Sequence, residues 1–294
     1  MMGSEILQVE KLDKYYGDLR ALNSISFQIH PGEIIGLLGH NGAGKSTLIK
    51  CLMGAVKSYT GDILISGRNI KHDHSAIVDN VGFLLEPSFC DYLSAQINLE
   101  LLSSVVAKTD RAKVAEVLET VSLKKFSRKK VGEFSFGMRQ RLGLAQVLLT
   151  NPQLIILDEP TVGLDPLGVE IIKNIIIECS RRNVAVLFSS HQINDVFDIC
   201  HRTIVMNEGN IVYDGPASKL NQKQYIVRCR TDVNQFASIL KRYDPELQVK
   251  DKEIQFVQQD AINDVLRFLL SHNLEIDDFY CENSMNELMN LMKR

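Results

Sequence analysis

Runs of apolar residues, bounded by Gly, Asn and Pro, predict short strands in the first quarter of the chain. The predicted strands are Ile6–Val9, Ser24–Ile29, Ile34–Gly39 and Ile63–Ser66. Apolar residues recur every three or four positions in Lys45–Ala55, over 95–121 and in Met138–Leu149, which predicts helices there. The chain therefore begins as a mixture of strands and helices.

A strand–helix–strand unit is predicted in the middle of the chain. Leu154–Leu157 and Val184–Phe188 are apolar runs of the kind that is buried on both faces of a parallel sheet. Leu167–Arg181 between them has helical spacing, so the three segments predict a βαβ unit. Residues 202–215 have the pattern of a hairpin that turns at 208–210.

A break at Pro216–Gln224 precedes a smaller unit in which strands and helices alternate. Its predicted strands are Tyr225–Cys229, Leu247–Val249, Ile254–Val257 and Glu275–Tyr280. Its predicted helices are Asn234–Arg242, Ala261–Leu270 and Met285–Met292. We expect a first domain over 5–216 and a small α+β accessory domain over 223–294. The Met/Leu stripe of the last helix indicates a core or dimer contact rather than a ligand site.

Composition narrows the class of protein. The 294 residues are 45% hydrophobic and 23% charged, which is typical of a soluble globular protein. A net charge of −3 argues against a dedicated nucleic-acid binder, so no nucleic-acid partner is expected. The six cysteines form no CxxC pair, which favours a reducing cytoplasm over a zinc site or a disulfide framework. The charged N-terminal stretch does not have the pattern of a signal peptide, and no run of about 18 apolar residues occurs.

A phosphate-binding loop is predicted by GHNGAGKST, which fits the pattern G-x-x-x-x-G-K-[ST] and lies between a predicted strand and a predicted helix. Glycines let backbone N–H groups point at phosphate oxygens, and the helix N-terminus adds its dipole. Lys45 supplies a cation to the β and γ phosphates, and the Ser46 hydroxyl is placed to ligate Mg²⁺. The predicted nucleotide-binding residues are Gly39, His40, Asn41, Gly42, Ala43, Gly44, Lys45, Ser46 and Thr47.

Two adjacent carboxylates follow the apolar strand in LIILDEP, residues 154–160. Asp158 can hold Mg²⁺ through water, and Glu159 can orient and polarise the water that attacks the γ-phosphate. Paired carboxylates at the end of a buried strand are costly unless a cation shares the site. The sequence contains no NKxD motif, which disfavours a GTPase. ATP and Mg²⁺ are the expected ligands.

These motifs resemble those of the ATP-binding subunits of ABC transporters, over about residues 5–215. GHNGAGKST and LIILDEP are similar to Walker A and Walker B, and VGLD, which ends at Asp165, is similar to the D-loop. SSH, which ends at His191, is similar to the switch-histidine motif, and FSFGMRQR stands at the place of the signature. The resemblance implies a P-loop NTPase ABC ATPase domain of the α/β class. Such a domain has a mixed sheet core, an antiparallel N-terminal sheet and a helical subdomain, here at about 88–150.

The resemblance assigns roles to two residues for which the local sequence leaves alternatives open. Tyr16 stands where the family has an aromatic ring that stacks on adenine, but it is also compatible with an ordinary aromatic residue at a strand edge. His191 follows two serines and could cap a helix. Near Glu159, it could instead bond a γ-phosphate oxygen and sense that phosphate. We prefer the functional interpretations, with Glu159 and His191 as the catalytic residues.

The chain departs from the family pattern at two motifs. Glu86 in VGFLLEP replaces the Q-loop glutamine. It could ligate Mg²⁺ but, when ionised, it cannot donate a hydrogen bond; a strand-end glutamate in solvent is the alternative. In the signature, Phe136 replaces a glycine and Met138 a glutamine, whereas Ser135 and Gly137 remain. Both departures resemble the bacitracin- and lantibiotic-resistance branch, which implies export of antimicrobial or amphipathic peptides.

In this family two ATP-binding chains close head to tail around two nucleotides. The resemblance therefore implies that Ser135, Gly137 and Met138, with Asp165 of the D-loop, contact a nucleotide held by a second chain, identical or not. It also implies an integral membrane permease as partner, with the chain peripheral at the cytoplasmic face of the membrane. The basic run at 124–130 is interpreted as a solvated face, with anionic headgroups as the alternative.

The competing hypothesis is a soluble ABC ATPase that acts on ribosomes or DNA. Such proteins usually carry two cassettes or a long coiled-coil insertion. This chain has a single cassette, no heptad run and no excess of basic residues, which favours the transporter hypothesis.

Overall fold

The computed structural model of the protein describes residues 5–85, 87–106, 111–220, 223–257 and 261–283. The chain divides into two units, Met1–Gly215 and Pro216–Arg294. The strands up to the boundary are β1 (Leu7–Tyr16), β2 (Leu19–Ile29), β3 (Ile34–Leu38), β4 (Thr60–Ile65), β5 (Arg68–Asn69), β6 (Val81–Leu84), β7 (Leu154–Leu157), β8 (Ala185–Ser190), β9 (Arg202–Asn207) and β10 (Asn210–Pro216). The helices of the first unit are α1 (Lys45–Leu52), α2 (Ser75–Asn80), α3 (Ala95–Val106), α4 (Arg111–Thr120), α5 (Phe136–Leu148), α6 (Pro166–Arg181) and α7 (Ile193–Ile199).

A six-stranded sheet in the order β10-β9-β3-β8-β7-β6 lies at the centre of the first unit. The strands from β9 to β6 pair in parallel, and every residue of β3, β7 and β8 is buried. Parallel strands that are covered on both faces need continuous apolar runs, and this sequence supplies them. Helix α6 connects β7 to its parallel neighbour β8, which confirms the predicted βαβ unit.

The strand order decides which loops meet. Because β3, β8, β7 and β6 are neighbours and point the same way, their carboxyl ends lie along one edge of the sheet. The segments after these strands are the glycine-rich loop, His191, the Asp158–Glu159 pair and the segment that begins at Leu85. Ligands in open α/β sheets bind at this edge. Motifs that are far apart in the sequence are thus brought together.

A second, antiparallel sheet in the order β2-β1-β4-β5 shares one apolar core with the first. Leu7 of β1 and Ile63 of β4 lie in the same buried cluster as Ile35 of β3 and Leu187 of β8. Helices α3, α4 and α5 lie between β6 and β7 in the sequence, so the predicted helical periodicity over 95–121 corresponds to two helices. The predicted combination of core sheet, antiparallel sheet and helical region is confirmed.

The local pattern of apolar residues predicted most of the strands and helices, but not all of them. Strands β1 and β2 extend well beyond the predicted apolar runs, because antiparallel strands with one solvated face carry polar residues. Short elements such as β5, α2 and α7 have too few periodic positions to be predicted. The predicted hairpin is confirmed: its turn residues Glu208 and Gly209 have φ values of 46° and 76°, as a two-residue turn with both residues left-handed requires.

The second unit is α+β. Its strands are β11 (Lys223–Cys229), β12 (Gln248–Lys250), β13 (Glu253–Phe256) and β14 (Ile276–Asn283), and its helices are α8 (Ala217–Leu220), α9 (Ala237–Leu240) and α10 (Ala261–Ser271). The antiparallel order β12-β13-β11-β14 is that of a split βαβ fold. Part of the helix predicted at Asn234–Arg242 is a 3₁₀ turn, Asn234–Phe236. The predicted helix Met285–Met292 lies outside the described residues.

Candidate nucleotide-binding and hydrolysis site

The glycine-rich loop links β3 to α1 and depends on conformations that suit glycine. Gly42 and Gly44 have φ values of 88° and 105°. A Cβ atom on Gly44 would lie 2.8 Å from the backbone oxygen of Ala21, so that position has no room for a side chain. With α1 starting at Lys45, the loop directs the orphan N–H groups of the helix N-terminus towards one site.

Lys45 lies folded over this loop. Its Nζ donates to the backbone oxygens of Gly39 (2.7 Å) and His40 (3.1 Å), and the residue is 6% exposed. Burial lowers the pKa of Lys45, and the carboxylates of Glu159 and Asp158 oppose that shift. Because the carbonyls offer only partial charge, an anionic phosphate is a better partner for this buried cation.

Ser189, at the end of β8, joins the two carboxylate residues that follow β7. Its Oγ donates to Asp158 Oδ1 (2.5 Å) and accepts from the Glu159 backbone N–H (2.9 Å). Ser189 is fully buried, and Glu159 has a φ of 47°, an unfavourable conformation for a residue with a side chain. The sequence interpretation missed this role of Ser189. The sequence signal for this role would have been the place of Ser189 near the end of an apolar strand, in the same βαβ unit as the strand that Asp158 and Glu159 follow.

His191 contacts the predicted catalytic carboxylate. Its Nδ1 lies 3.0 Å from Glu159 Oε2, and the side chains of His191 and Glu159 are 46% and 30% exposed. Helix α7 has Gln192 rather than His191 at its N-cap position. The imidazole therefore faces Glu159 instead of capping the helix that follows.

Two adjoining concavities share Ser46 and Glu159. Tyr16, Gly42, Lys45 and Thr47 line the first, and the Tyr16 side of it suits a base because that ring is 46% exposed. Lys14 Nζ lies 4.6 Å from the centre of the Tyr16 ring and holds it by a cation–π contact. Lys14 is a second residue that the sequence interpretation missed.

The second concavity can hold a magnesium ion against a phosphate. Ser46 and Asp158, which line it, offer the hard oxygen donors that Mg²⁺ prefers. Among the described residues, no group of three or more His, Cys, Asp or Glu side chains could hold a metal ion by itself. A site with few protein ligands fits Mg²⁺, since substrate phosphates and water usually complete its shell. Glu86, the other predicted ligand, lies outside the described residues.

The signature residues lie at the start of α5. Ser135 is the N-cap, and its Oγ accepts from the Met138 N–H at 3.2 Å. Phe136 is 58% exposed, and a Cβ atom on Gly163 of the D-loop would lie 3.1 Å from its ring. Asp165 caps α6, with Oδ1 accepting from the Gly168 N–H at 3.1 Å. The signature and the D-loop of one chain thus pack together.

Comparisons with known proteins agree with this geometry. The family model described as "ABC transporter" matches residues 22–162. The Bacitracin transport ATP-binding protein BcrA of Bacillus licheniformis is 32% identical over 289 residues, which is 97% of this chain and 92% of that protein. The chain belongs to the ATP-binding proteins of ABC transporters. The family, the branch and the fold class predicted from the sequence are confirmed.

Two further similar proteins match a shorter part of this ABC ATPase. The Uncharacterized ABC transporter ATP-binding protein YdbJ of Bacillus subtilis (strain 168) is 41% identical over 212 residues, which is 71% of this chain and 69% of that protein. Among solved structures, cbiO1 from Clostridium perfringens, part of the ABC transporter complex cbiONQ, has a TM-score of 0.67 and 30% identity. The match covers 73% of this chain and 90% of cbiO1. Within the described residues of the ABC ATPase, none of the helices combines the length and the hydropathy of a transmembrane span.

A buried polar network connects the segment after Glu159 to two helices of this ABC ATPase. Asp195 of α7 is 6% exposed, accepts from Thr161 Oγ1 (2.7 Å) and pairs with Lys173 Nζ of α6 (2.8 Å). Lys173 also pairs with the exposed Asp198 at 2.7 Å. Burial lowers the pKa of Lys173, but these two carboxylates outweigh it and the net shift is upward. Asp195 thereby joins α6, α7 and the segment after Glu159.

Replacing Asp195 by Ala is expected to destabilise the first unit by about 3 kcal/mol, because it leaves a largely buried cation and a buried hydroxyl short of a partner. Asp198→Ala is the matched control: it removes the other carboxylate from the same lysine, but an exposed one, and should cost less than about 1 kcal/mol. Thermal unfolding of both variants measures the difference. Equal losses would mean that the buried partner has no special role.

Proposed function

We propose that this ABC ATPase hydrolyses ATP to drive the export of antimicrobial or amphipathic peptides through an integral membrane permease. The observation that carries the proposal is that Lys45, Ser46, Asp158 and Glu159 converge at one edge of the sheet. The alignment with BcrA over 97% of the chain supports the substrate class.

Nucleotide binding is assigned to the first concavity. Tyr16 stacks on adenine, and the amides of the loop 39–47 and Lys45 hold the phosphates, which relieves the lysine of its carbonyl partners. Ser46 and Asp158 would hold Mg²⁺, and the sequence position of Glu86 assigns it the same role. When bound, Mg²⁺ neutralises charge that develops on the phosphate oxygens.

Hydrolysis is assigned to Glu159 and His191. The Glu159 carboxylate orients the attacking water and accepts hydrogen bonds from it. The contact with His191 Nδ1 restrains the carboxylate, and the backbone of Glu159 is anchored by Ser189. With Nδ1 on Glu159, the Nε2 side of the imidazole is the side that can bond a γ-phosphate oxygen.

The signature is assigned to a nucleotide held by a second chain. Ser135 Oγ accepts from the Met138 N–H, which leaves its hydroxyl hydrogen to donate to a phosphate oxygen. Gly137 and the N-terminus of α5 add backbone N–H groups, and Asp165 holds the start of the adjacent α6. Closure of a head-to-tail dimer around ATP, and its opening after hydrolysis, would move the permease.

This assignment places the chain at the cytoplasmic face of a membrane as a peripheral subunit. The alternative, a soluble ABC ATPase acting on ribosomes or DNA, is less compatible with a net charge of −3. The match to BcrA, a transport ATP-binding protein, over 97% of this chain favours the transporter assignment.

Purification of the tagged protein from detergent-solubilised membranes of its native host tests the proposal. A multi-span permease is expected to co-purify, and loss of the chain should make cells more sensitive to bacitracin or a lantibiotic. Glu159→Gln is expected to co-purify normally but to leave the cells sensitive. Recovery of ribosomes or DNA without a permease would reject the transporter assignment. Recovery of a permease with unchanged sensitivity would reject only the peptide substrate.

A further inference from the structure

Lys14 of β1 is a cation in the interior of the first unit. It is 5% exposed, and its Nζ donates to the backbone oxygen of Ser58 at 2.7 Å and to Ser58 Oγ at 2.6 Å. Among the residues that the structure describes, no Asp or Glu side chain forms an ion pair with this ammonium. A buried charge is costly unless its donors are satisfied, so each remaining contact of Lys14 matters.

The aromatic ring of Tyr16 provides that remaining contact. Lys14 Nζ lies over the ring, 4.6 Å from its centre, whereas the two hydrogen bonds go to Ser58. A cation–π contact is stronger when the cation is withdrawn from water, as this one is. The ring of Tyr16 therefore rests on a buried charge rather than on an ordinary apolar surface.

The position of the cation leaves the outer side of the ring free. Tyr16 is 46% exposed and lines the first concavity, whereas the buried Lys14 does not line it. The ammonium thus contacts the ring from the protein interior. The exposed side of the ring stays open to a ligand that enters the concavity.

Ser58 connects this contact to the element that carries the phosphate-binding loop. It lies between α1 (Lys45–Leu52) and β4 (Thr60–Ile65), and α1 begins at that loop. Through Ser58, Lys14 joins the strand of Tyr16 to the segment that follows α1. The ring and the phosphate-binding loop are thereby held in a fixed relation, although they belong to different elements.

We propose that Lys14 is a positioning residue for the base of the nucleotide. It holds the Tyr16 ring in place before the nucleotide binds. Stacking on an unrestrained side chain requires that side chain to be ordered, and a ring that is already held avoids most of this loss. Lys14 should therefore raise the affinity for the base without a contact to the phosphates. The inference rests on the proposed stacking of Tyr16 on adenine.

Lys14→Met tests the inference, since it removes the charge and keeps an unbranched side chain that suits a buried position. Isothermal titration calorimetry with a non-hydrolysable ATP analogue should show a loss of affinity of about fivefold, from the cost of ordering one side chain. Inorganic tripolyphosphate has no base, so its affinity should be unchanged. In steady-state hydrolysis, the KM for ATP should rise by a similar factor and kcat should stay the same.

Lys57→Met is the matched control. It makes the same substitution at an exposed lysine next to Ser58, and it should bind both ligands like the unaltered protein. Tyr16→Leu should lower the affinity for the ATP analogue by about five- to a hundredfold, which is typical for the loss of one stacked base. Adding Lys14→Met to Tyr16→Leu should have no further effect, because no ring remains to be positioned.

Different failures have different meanings. If Lys14→Met weakens the ATP analogue and tripolyphosphate equally, or weakens the analogue as much without the Tyr16 ring as with it, Lys14 does not act through the ring. If only Tyr16→Leu loses affinity, the positioning role is rejected and the stacking assignment stands. If Tyr16→Leu binds the analogue normally, the stacking assignment itself is rejected and the inference falls with it.

Discussion

Glu159→Gln is expected to slow ATP hydrolysis by about 10²- to 10⁴-fold while ATP still binds. The amide can fill the space of the carboxylate, but it cannot accept a proton from the attacking water or polarise it to the same extent. The phosphate contacts proposed for Lys45 and the loop do not involve this side chain, so nucleotide affinity should be retained. Because the dimer then opens very slowly, it should accumulate in the presence of ATP.

Single-turnover hydrolysis and size-exclusion chromatography with ATP measure the two effects. Glu208→Gln provides a matched control. Glu208 lines the same concavity as Tyr16 and Glu159, and the substitution likewise replaces a carboxylate by an amide. It should turn over ATP at nearly the normal rate and should not trap a dimer. Near-normal turnover by Glu159→Gln would exclude Glu159 as the main catalytic carboxylate.

Mixing two inactive chains is expected to restore ATP turnover if the signature acts on the partner's nucleotide. Lys45→Ala removes the phosphate-binding cation, and Gly137→Asp puts a carboxylate where a γ-phosphate should approach. Each homodimer should lose about 10²- to 10³-fold in turnover, which is typical for the loss of one charge-stabilising contact. In a head-to-tail heterodimer, one of the two composite sites combines an intact loop with an intact signature.

The measurement is the turnover of a heterodimer isolated through two different affinity tags. Its rate should lie well above that of either homodimer. The control is a dimer whose two chains carry different affinity tags but the same substitution, Lys45→Ala. Neither of its sites has an intact loop. If the verified mixed heterodimer shows no recovered turnover, the signature acts within its own chain or not at all.

The signature residues pack against the D-loop of the same chain. Phe136 replaces a glycine of the family pattern, and its ring lies against Gly163 of the D-loop in the same chain. A Cβ atom on Gly137 would lie 3.3 Å from Leu164 Cδ2, so the second signature position also borders the D-loop. The two motifs are therefore packed as one surface, although they are separated by more than twenty residues in the sequence.

Residues whose roles depend on local geometry were predictable from the sequence. The spacing from Gly39 to Ser46 requires a strand before it and a helix after it, and β3 and α1 are there. The apolar run before Asp158 is a fully buried strand with the predicted bounds. Hydrophobic period and glycine placement act over a few residues, so such features can be deduced without knowledge of the fold.

Residues whose roles depend on a partner across the sheet were not predictable. Ser189 bonds to Asp158 because β8 lies next to β7. Asp195 and Lys173 meet only when α6 and α7 are packed.

The amino-acid sequence by itself determined the nucleotide loop, the carboxylate pair and the family, because each depends on residue types at short, fixed spacings. Only the tertiary structure decided which side chains hold those groups in place. The physical reason is that hydrogen bonds and ion pairs form between atoms about 3 Å apart, and strand order brings such atoms together from distant parts of the chain.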